Sequence, residues 1–229
     1  MKHKILIVVN EFQNIISFRI PLINFLIKNK FSVEVICNST EKNEIKEFKK
    51  KFNIKIHILR GDSKGINLLK EIVFITKLLI LIKNINPHLI MSFTIKPNLY
   101  SSIISKIISK NNLITITGLG STFIEKSLIN KIAFLFFKIS NHRKIYYIFQ
   151  NNKDKQVFVE KKICLNNISF VIPGSGVDIL KYKKNINFIQ NIKSDDEFNF
   201  LFIGRLIKHK GIEELFKAGS KLILNTNKK

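Results

Sequence analysis

Two cations and two glycines lie close together near the end of the chain. In the run FIGRLIKHKG (202–211), Gly204 and Arg205 follow an apolar segment, and Lys210 and Gly211 precede a segment of helical period. Fixed cations beside a helix N-terminus favour an anion, because the exposed backbone N–H groups and the helix dipole also attract negative charge. Arginine can bind two phosphate oxygens at once, and lysine adds a point charge. The spacing predicts a diphosphate site; the alternative is a pair of solvated surface cations.

Two earlier segments place polar side chains and glycines directly after apolar runs that are typical of strands. These segments are SFTIKPN (92–98) and TITGLGS (115–121). A glycine lets the backbone approach a ligand closely and offers its N–H to an oxygen or a phosphate. Hydroxyl, amide and ammonium groups suit a sugar. The alternative is that these glycines serve only to form tight turns. The candidate ligand-binding residues are Thr94, Lys96, Asn98, Thr117, Gly118, Gly120 and Ser121.

Further candidates for a ligand cleft follow the first and last apolar runs of the same region. Asn10 and Glu11 come directly after the first run, and Gly176 and Asp178 belong to the turn PGSGVD (173–178). No Asp-x-Asp pair is present and the two cysteines match no metal spacing, so we expect no metal. The histidines show no partner pattern, and we therefore assign no catalytic residue.

The elements that must position these residues follow from the hydrophobic pattern. Short apolar runs alternate with longer segments of helical period, as in a parallel sheet covered on both faces. Right-handed crossovers place the loops after parallel strands along one edge, where ligands of such folds bind. We predict an α/β fold with a doubly wound, Rossmann-like parallel sheet. The predicted strands are Ile5–Val9, Val33–Cys37, Ile54–Leu59, His88–Met91, Leu113–Ile116, Ile145–Phe149 and Ser169–Ile172. The predicted helices are Pro21–Lys30, Glu41–Phe52, Ile66–Asn84, Pro97–Ser109, Ile124–Ile139 and Asn152–Lys161.

A change in composition divides the chain. We predict one domain over residues 1–178, a polar linker over 179–197 that ends in an acidic run, and the beginning of a second domain over 198–229. This last segment offers one strand, Phe198–Ile203, and one helix (211–224). Because a single strand and a single helix cannot bury their own apolar faces, we expect the second domain to be truncated.

The chain is strongly basic, with 39 lysine and arginine residues against 16 acidic ones and a net charge of +23. A composition rich in Lys, Asn and Ile is also what an AT-rich genome produces, and this alternative stays open. Where the charge is functional, it favours an anionic membrane surface, because each nearby lysine contributes about 1 kcal/mol. We expect no nucleic-acid partner, since few of the basic residues are arginine, whose planar fork suits phosphates and base edges.

Three features bear on where the protein works. The segment Ile124–Lys144 places three phenylalanines beside five basic side chains, which fits either an interfacial helix or a core helix with a basic outer edge. No apolar run approaches the roughly 20 residues that a membrane-spanning helix needs. Cys37 and Cys164 lie in apolar stretches, so we expect buried, reduced thiols in a cytosolic protein.

These motifs carry a resemblance to a known family. The run GRLIKHKG (204–211) resembles the G-R-x-x-x-x-K-G element of retaining-type GT-B glycosyltransferases in the family 4 group, and PGSGVD (173–178) looks like their P-N-G-V-D turn. The segments around Lys96 and Gly118 are similar to the T-K-x-N and G-L-G-S loops of bacterial transferases that act on undecaprenyl-diphosphate-linked sugars. The resemblance implies a GT-B N-terminal domain that binds the acceptor, followed by the start of a donor domain.

The resemblance also implies an activity. We expect transfer of a hexose or N-acetylhexosamine from a nucleotide diphosphate sugar, expected to be a UDP-sugar, to a lipid-linked saccharide in surface polysaccharide or glycan biosynthesis. The nucleotide sugar is a co-substrate, and no cofactor is implied. Arg205 and Lys210 would hold its diphosphate. The protein would be cytoplasmic and peripheral to the inner face of the plasma membrane.

The chain departs from the family pattern at several points. It has Asn10 and Glu11 where many members have a Gly-Gly loop, it has Thr117 where many carry a histidine, and it lacks the family's E-x7-E motif. We therefore expect little or no turnover from these residues alone. Two alternatives stay open: a non-catalytic, acceptor- and membrane-binding half of a split enzyme, and a GT-B-like nucleotide-sugar epimerase.

Overall fold

The computed structural model describes residues 3–61, 68–119, 128–177, 179, 200–204, 206 and 210–226. The chain divides into two compact units, Met1–Val177 and Asp178–Lys229.

The described part of the first unit contains a seven-stranded parallel sheet with the order β3-β2-β1-β4-β5-β6-β7. Each of the first six strands along the chain is followed by helical segments, as the alternating pattern requires. The predicted α/β, doubly wound parallel fold is therefore confirmed. The strands are β1 (Lys4–Glu11), β2 (Ser32–Asn38), β3 (Lys55–Ile58), β4 (Leu89–Phe93), β5 (Asn111–Ile116), β6 (Ile145–Phe149) and β7 (Ser169–Val171).

The chain reverses its direction of travel across the sheet at β1. This strand pairs with β2 on one side and with β4 on the other, where Ile5 lies opposite Leu89 and Val8 opposite Ser92. In doubly wound sheets the ligand crevice opens beyond the carboxyl ends of the strands at this reversal. The topology therefore favours a ligand site at the residues that follow β1 and β4.

Helices cover both faces of the sheet. One element differs from prediction: the residues directly after β1 form a short helix instead of a loop, because Phe12 and Ile15 fall on one helical face and are buried. The helices are α1 (Phe12–Phe18), α2 (Ile20–Lys28), α3 (Lys42–Phe52), α4 (Leu68–Ile85), α5 (Ile95–Ile107), α6 (Leu128–Ser140), α7 (Asn152–Glu160) and α8 (Ile212–Thr226).

Three apolar clusters form the core of the first unit. One lies between β1, β2 and helices α1 to α3, a second between the other face of the sheet and helices α4 and α5, and a third around β5, β6, α6 and α7. The central strands are buried along most of their length, as expected for a sheet covered on both faces. Cys37 and Cys164 are buried within this core, as predicted.

Helix α6 fits the alternative of a core helix for its segment. Phe137 is completely buried and Ala133 nearly so, which makes the inner face part of the core. The outer face exposes Ile132, Leu135, Phe136 and Ile139. No helix in the described ranges is long and apolar enough to cross a membrane.

The second unit differs from prediction at its beginning. The predicted strand Phe198–Ile203 is not present in its described part, because residues 200–203 have no strand assignment. A β-strand exists only through hydrogen bonds to a neighbouring strand, and an apolar run cannot supply that neighbour. The predicted helix is present as α8.

Candidate functional site

The junction between β4 and α5 lies at the reversal point and has an unusual backbone. Thr94 adopts φ 70° and ψ 162°, a region nearly restricted to glycine that costs other residues about 1–3 kcal/mol. Its side chain makes no capping bond to α5, and its Oγ1 is buried without a hydrogen-bond partner among the described residues. Stability alone does not explain a strained residue with an unsatisfied hydroxyl, and such residues cluster at functional sites.

Lys96, in the first turn of α5, lies in an ion pair. Its Nζ donates to Oε1 of Glu71 on α4 at 2.7 Å, and the Tyr100 hydroxyl donates a short hydrogen bond to the other oxygen of the same carboxylate. Burial and this hydrogen bond raise the pKa of Tyr100. Asn10, at the end of β1, lines a small cavity of about 30 Å³ together with these three side chains. The fold thus brings two predicted residues, Asn10 and Lys96, to one point.

Asn98 lies behind this junction instead of in an open cleft. It is 1% exposed, and its Nδ2 donates to the Thr115 carbonyl at 2.9 Å. This bond ties α5 to the end of β5, the neighbouring strand. The Oδ1 of Asn98 is buried and, like the hydroxyls of Ser92 and Ser101, has no partner in the described part of the chain. Asn98 therefore positions the two loops that follow β4 and β5.

The loop after β5 brings a second set of predicted residues to the same edge. Thr117 and Gly118 follow the strand and are partly exposed. Gly118 has φ 132°, and an added Cβ would meet no atom within 4 Å, so its backbone conformation and not its packing favours glycine. The Leu119 N–H donates to Asp154 Oδ2 at 3.2 Å, which fixes this loop to α7. Gly120 and Ser121 lie outside the described residues.

A buried arginine lies at the same edge of the sheet and was not singled out from sequence. Arg19, between α1 and α2, is 5% exposed. Its Nε donates to Asn14 Oδ1 at 3.2 Å and its Nη1 to Ser175 Oγ at 3.0 Å, while its Cζ lies 3.9 Å from the ring centre of Phe93. Burial lowers the pKa of Arg19 to about 10, so the guanidinium is still charged at neutral pH. Gln150 Nε2 also donates to Ser175 Oγ, at 3.1 Å.

The predicted turn after β7 is where Ser175 lies. The flanking Gly174 and Gly176 have φ values of 79° and 76°. Gly176 is exposed, whereas Ser175 is half-buried by its contacts with Arg19 and Gln150. Asp178, the last residue predicted in this turn, lies outside the described residues.

The predicted diphosphate site belongs to the second unit. Gly211 directly precedes α8, and its carbonyl accepts the first helical hydrogen bond, from the Leu215 N–H at 3.0 Å. Gly204 and Lys210 are exposed, and Arg205 lies outside the described residues. Two acidic residues, Glu213 and Glu214, occupy the first turn of α8.

The remaining candidates for chemistry have structural partners. His57 forms a 2.7 Å hydrogen bond with buried Glu34, and His88 Nδ1 accepts from the Lys4 N–H at 3.0 Å. Across the residues that the structure describes, no cluster of three or more His, Cys, Asp or Glu side chains could hold a metal ion.

Comparison with known proteins decides the family. The sequence pattern of the glycosyl transferase 4-like family matches residues 4–152, which include β1 to β6 and all the loops of the first unit up to α7. The chain belongs to the glycosyl transferase 4-like family.

A curated relative of this glycosyl transferase 4-like chain comes from Campylobacter jejuni. It is N,N'-diacetylbacillosaminyl-diphospho-undecaprenol alpha-1,3-N-acetylgalactosaminyltransferase, and it is 25% identical over 233 aligned positions. The alignment covers 91% of this chain and 58% of the relative. The chain thus spans less than two thirds of that protein's length.

Solved structures of similar fold include Anabaena HepE and a UDP-GlcNAc 2-epimerase. Anabaena HepE, solved with UDP-glucose, has a TM-score of 0.64 at 16% identity. The alignment covers 95% of this chain and 57% of the HepE chain. The UDP-GlcNAc 2-epimerase of Methanocaldococcus jannaschii has a TM-score of 0.62 at 14% identity. The alignment covers 98% of this chain and 64% of the epimerase chain. At these identities the likeness shows the fold.

Sequence reasoning missed the partners that complete the site in this glycosyl transferase 4-like domain. Glu71 and Tyr100 lie within segments that were predicted as helices from the spacing of their apolar residues, and this spacing does not single out polar positions. Arg19 lies in a segment predicted as a loop. Arg19 nevertheless had one recognisable signal: it is one of few arginines in a chain whose cations are otherwise lysine, and it is flanked by apolar residues on both sides.

Proposed function

We propose that this chain is part of a glycosyltransferase that moves a hexose or N-acetylhexosamine from a nucleotide diphosphate sugar to a lipid-linked saccharide acceptor. The observation that carries the proposal is the β4–α5 junction. In a member of this family, the strained Thr94 and the cation of Lys96 lie at the strand reversal, beside Asn10 of β1. The name of the Campylobacter relative supports the choice of acceptor class.

In this proposal the first unit binds the acceptor. Thr94, Thr117 and the backbone around Gly118 supply hydroxyl and N–H groups along one edge of the sheet, as recognition of a saccharide requires. The pair of Lys96 and Glu71 offers both a donor and an acceptor to sugar hydroxyls. Gly120 and Ser121 belong to the same proposed set of acceptor-binding residues, and so does Glu11, which is exposed at the end of β1.

The second unit contributes the donor site in this proposal. Arg205 and Lys210 stabilise the diphosphate of the nucleotide sugar as negative charge develops on the leaving group, which is electrostatic stabilisation of the transition state. Gly204 and Gly211 provide the backbone turn and the helix start on either side of the two cations. The donor is a nucleotide diphosphate sugar, with a UDP-sugar as the first compound to test.

A transfer assay tests this function. The chain is assayed alone and with any polypeptide encoded directly downstream, using radiolabelled UDP-N-acetylhexosamine and an undecaprenyl-diphosphate-linked acceptor. Arg205→Ala with Lys210→Ala should lower kcat by at least about 100-fold, because each lost charge-stabilising group costs that much in comparable sites. The matched control, Lys217→Ala with Lys221→Ala, removes the same charge from exposed positions of α8. Conversion of the donor sugar without acceptor would instead identify an epimerase, and absence of any transfer would refute the proposal.

We also propose that α6 docks the protein on the cytosolic face of the membrane. Its outer face carries the exposed side chains of Leu135, Phe136 and Ile139 beside those of Lys131 and Lys138. Apolar side chains flanked by lysines fit an anionic bilayer, since insertion and charge attraction act together.

Vesicle sedimentation tests this docking face. Phe136→Ser should weaken binding to vesicles that contain phosphatidylglycerol by roughly tenfold or more, because burying one aromatic side chain contributes about 1.5–3 kcal/mol. Ile107→Ser is the matched control, since Ile107 is 61% exposed on α5. Equal effects of the two substitutions would rule out α6 as the docking surface.

A further inference from the structure

The first unit contains a buried positive charge that no carboxylate neutralises among the residues that the structure describes. Arg19 is 5% exposed, yet within the described ranges it forms no ion pair, and its hydrogen-bond partners are the neutral oxygens of Asn14 and Ser175. Removing a charge from water is costly unless a counter-ion or several hydrogen bonds compensate. Here the face of Phe93 and two neutral oxygens provide the compensation. The guanidinium therefore projects an uncancelled positive field at the carboxyl edge of the sheet.

The contact with Arg19 orients the Ser175 hydroxyl as a hydrogen-bond donor. Its oxygen accepts hydrogen bonds from Arg19 Nη1 at 3.0 Å and from Gln150 Nε2 at 3.1 Å. A serine oxygen has two acceptor lone pairs, so these two bonds fill them. The hydroxyl hydrogen must then point away from both donors. Because Ser175 is only half-buried, that hydrogen is available to a ligand.

The backbone of the same turn adds further donors. Gly174 and Gly176, on either side of Ser175, both have positive φ, and such turns direct successive N–H groups into an anion-binding concavity. The Gly174 N–H already donates to the Ile172 carbonyl at 2.8 Å. The N–H groups of Ser175 and Gly176 have no acceptor elsewhere in the described part of the chain.

We propose that Ser175, backed by Arg19, binds the diphosphate of the acceptor. This inference rests on the proposed function for the identity of the acceptor, but the site follows from donors alone: a hydroxyl, two N–H groups, a side-chain amide and a buried cation lie together, and no carboxylate among the described residues pairs with the cation. Arg19 acts through Ser175 as a positioning and field-generating residue, and Ser175 touches the ligand. The site lies wholly within Met1–Val177.

Calorimetric titration with inorganic pyrophosphate tests the site. The 229-residue chain carries Arg205→Ala and Lys210→Ala throughout, so that the proposed donor site does not contribute. Arg19→Gln should raise the Kd for pyrophosphate by about tenfold or more and Ser175→Ala by roughly three- to tenfold, the range expected for losing a charge or one hydrogen bond to a charged ligand. The matched control is Arg143→Gln, which removes an exposed arginine ahead of β6 and should leave Kd unchanged.

Two outcomes of these titrations would overturn the site. If Arg19→Gln does not fold, Ser175→Ala decides, since it retains the buried guanidinium; an unchanged Kd in that variant overturns the site. Equal losses in Arg19→Gln and Arg143→Gln also overturn it, because they would reflect net charge alone.

A competition experiment distinguishes the sources of the diphosphate. A short-chain polyprenyl diphosphate should displace pyrophosphate, and failure to do so would refute the assignment to a lipid-linked acceptor in favour of a free diphosphate. None of these titrations requires sugar transfer. A negative transfer assay with intact, Ser175-dependent binding would therefore count against the proposed function and not against the site.

Discussion

Replacing Thr94 by valine should make the protein more stable. Valine has nearly the same shape as threonine, so the substitution preserves the β-branched side chain and its strained backbone at φ 70°. What it removes is the Oγ1, which is buried and has no hydrogen-bond partner among the residues described. A methyl group at that position has no hydrogen bond to lose.

The expected gain follows from the cost of the unsatisfied hydroxyl. A buried polar group left without a partner costs about 1–3 kcal/mol, and we take the lower end because Thr94 as a whole is partly exposed. A gain of about 1 kcal/mol corresponds to a rise in Tm of roughly 2–4 °C for a protein of this size. Thr94→Ser, which retains the hydroxyl and removes the methyl group, should give no gain.

Thermal and urea unfolding followed by circular dichroism measure this effect. Thr94→Val should show a higher urea midpoint than the unmodified chain, with an unchanged slope. The same variant should lose acceptor affinity, because strain and unsatisfied groups persist where function requires them. A less stable Thr94→Val protein would show that the hydroxyl does have a partner, and the reasoning about this junction would then be wrong.

Three further perturbations have defined outcomes. Burial raises the pKa of Glu34, but the hydrogen bonds and charges of His57 and Lys4 together lower this pKa by more than burial raises it. The pKa of Glu34 is therefore below the ordinary value of 4.5. Its stabilising contribution is therefore present above pH 4.5 and lost as the pH falls through the folded pKa; urea midpoints between pH 7 and pH 3 should decline less steeply in Glu34→Gln. Burial raises the pKa of Cys37 to about 12 and that of Cys164 to about 11, so a thiol reagent at pH 8 should react with them only after unfolding. Gly118→Ala should destabilise by about 1 kcal/mol through its backbone conformation alone, as measured by chemical denaturation, with no change in sheet content.

The sheet could be predicted from sequence because burial on both faces leaves a simple signature. The run beginning at Ile5 is continuously apolar, and so is the run that became β6, as expected for a covered parallel sheet. Helix α1 could not be predicted in the same way. Its seven residues bury only Phe12 and Ile15, and a pattern of two positions cannot be distinguished from a loop that happens to contain apolar residues.

Only those parts of the candidate site that depend on strand order and local sequence could be predicted. Thr94 and Gly118 follow neighbouring strands, and parallel topology alone brings them to one edge. The contact between Arg19 and Ser175 joins residues 156 positions apart, and no spacing rule anticipates it. Local patterns therefore indicated the candidate residues, while the partners that set the electrostatics of this edge depended on tertiary structure.

The two cations at this edge illustrate why those partners matter. Lys96 supplies one of these cations, but its Nζ lies 2.7 Å from the Glu71 carboxylate, which cancels most of its field. An ion pair of this kind presents a donor and an acceptor together, which suits neutral sugar hydroxyls better than a diphosphate. Arg19 has no such carboxylate in the described ranges, and burial keeps solvent from screening its charge. The acceptor's saccharide should therefore lie towards Lys96 and its diphosphate towards Ser175, so that one edge of the sheet distinguishes the two ends of a lipid-linked sugar by charge.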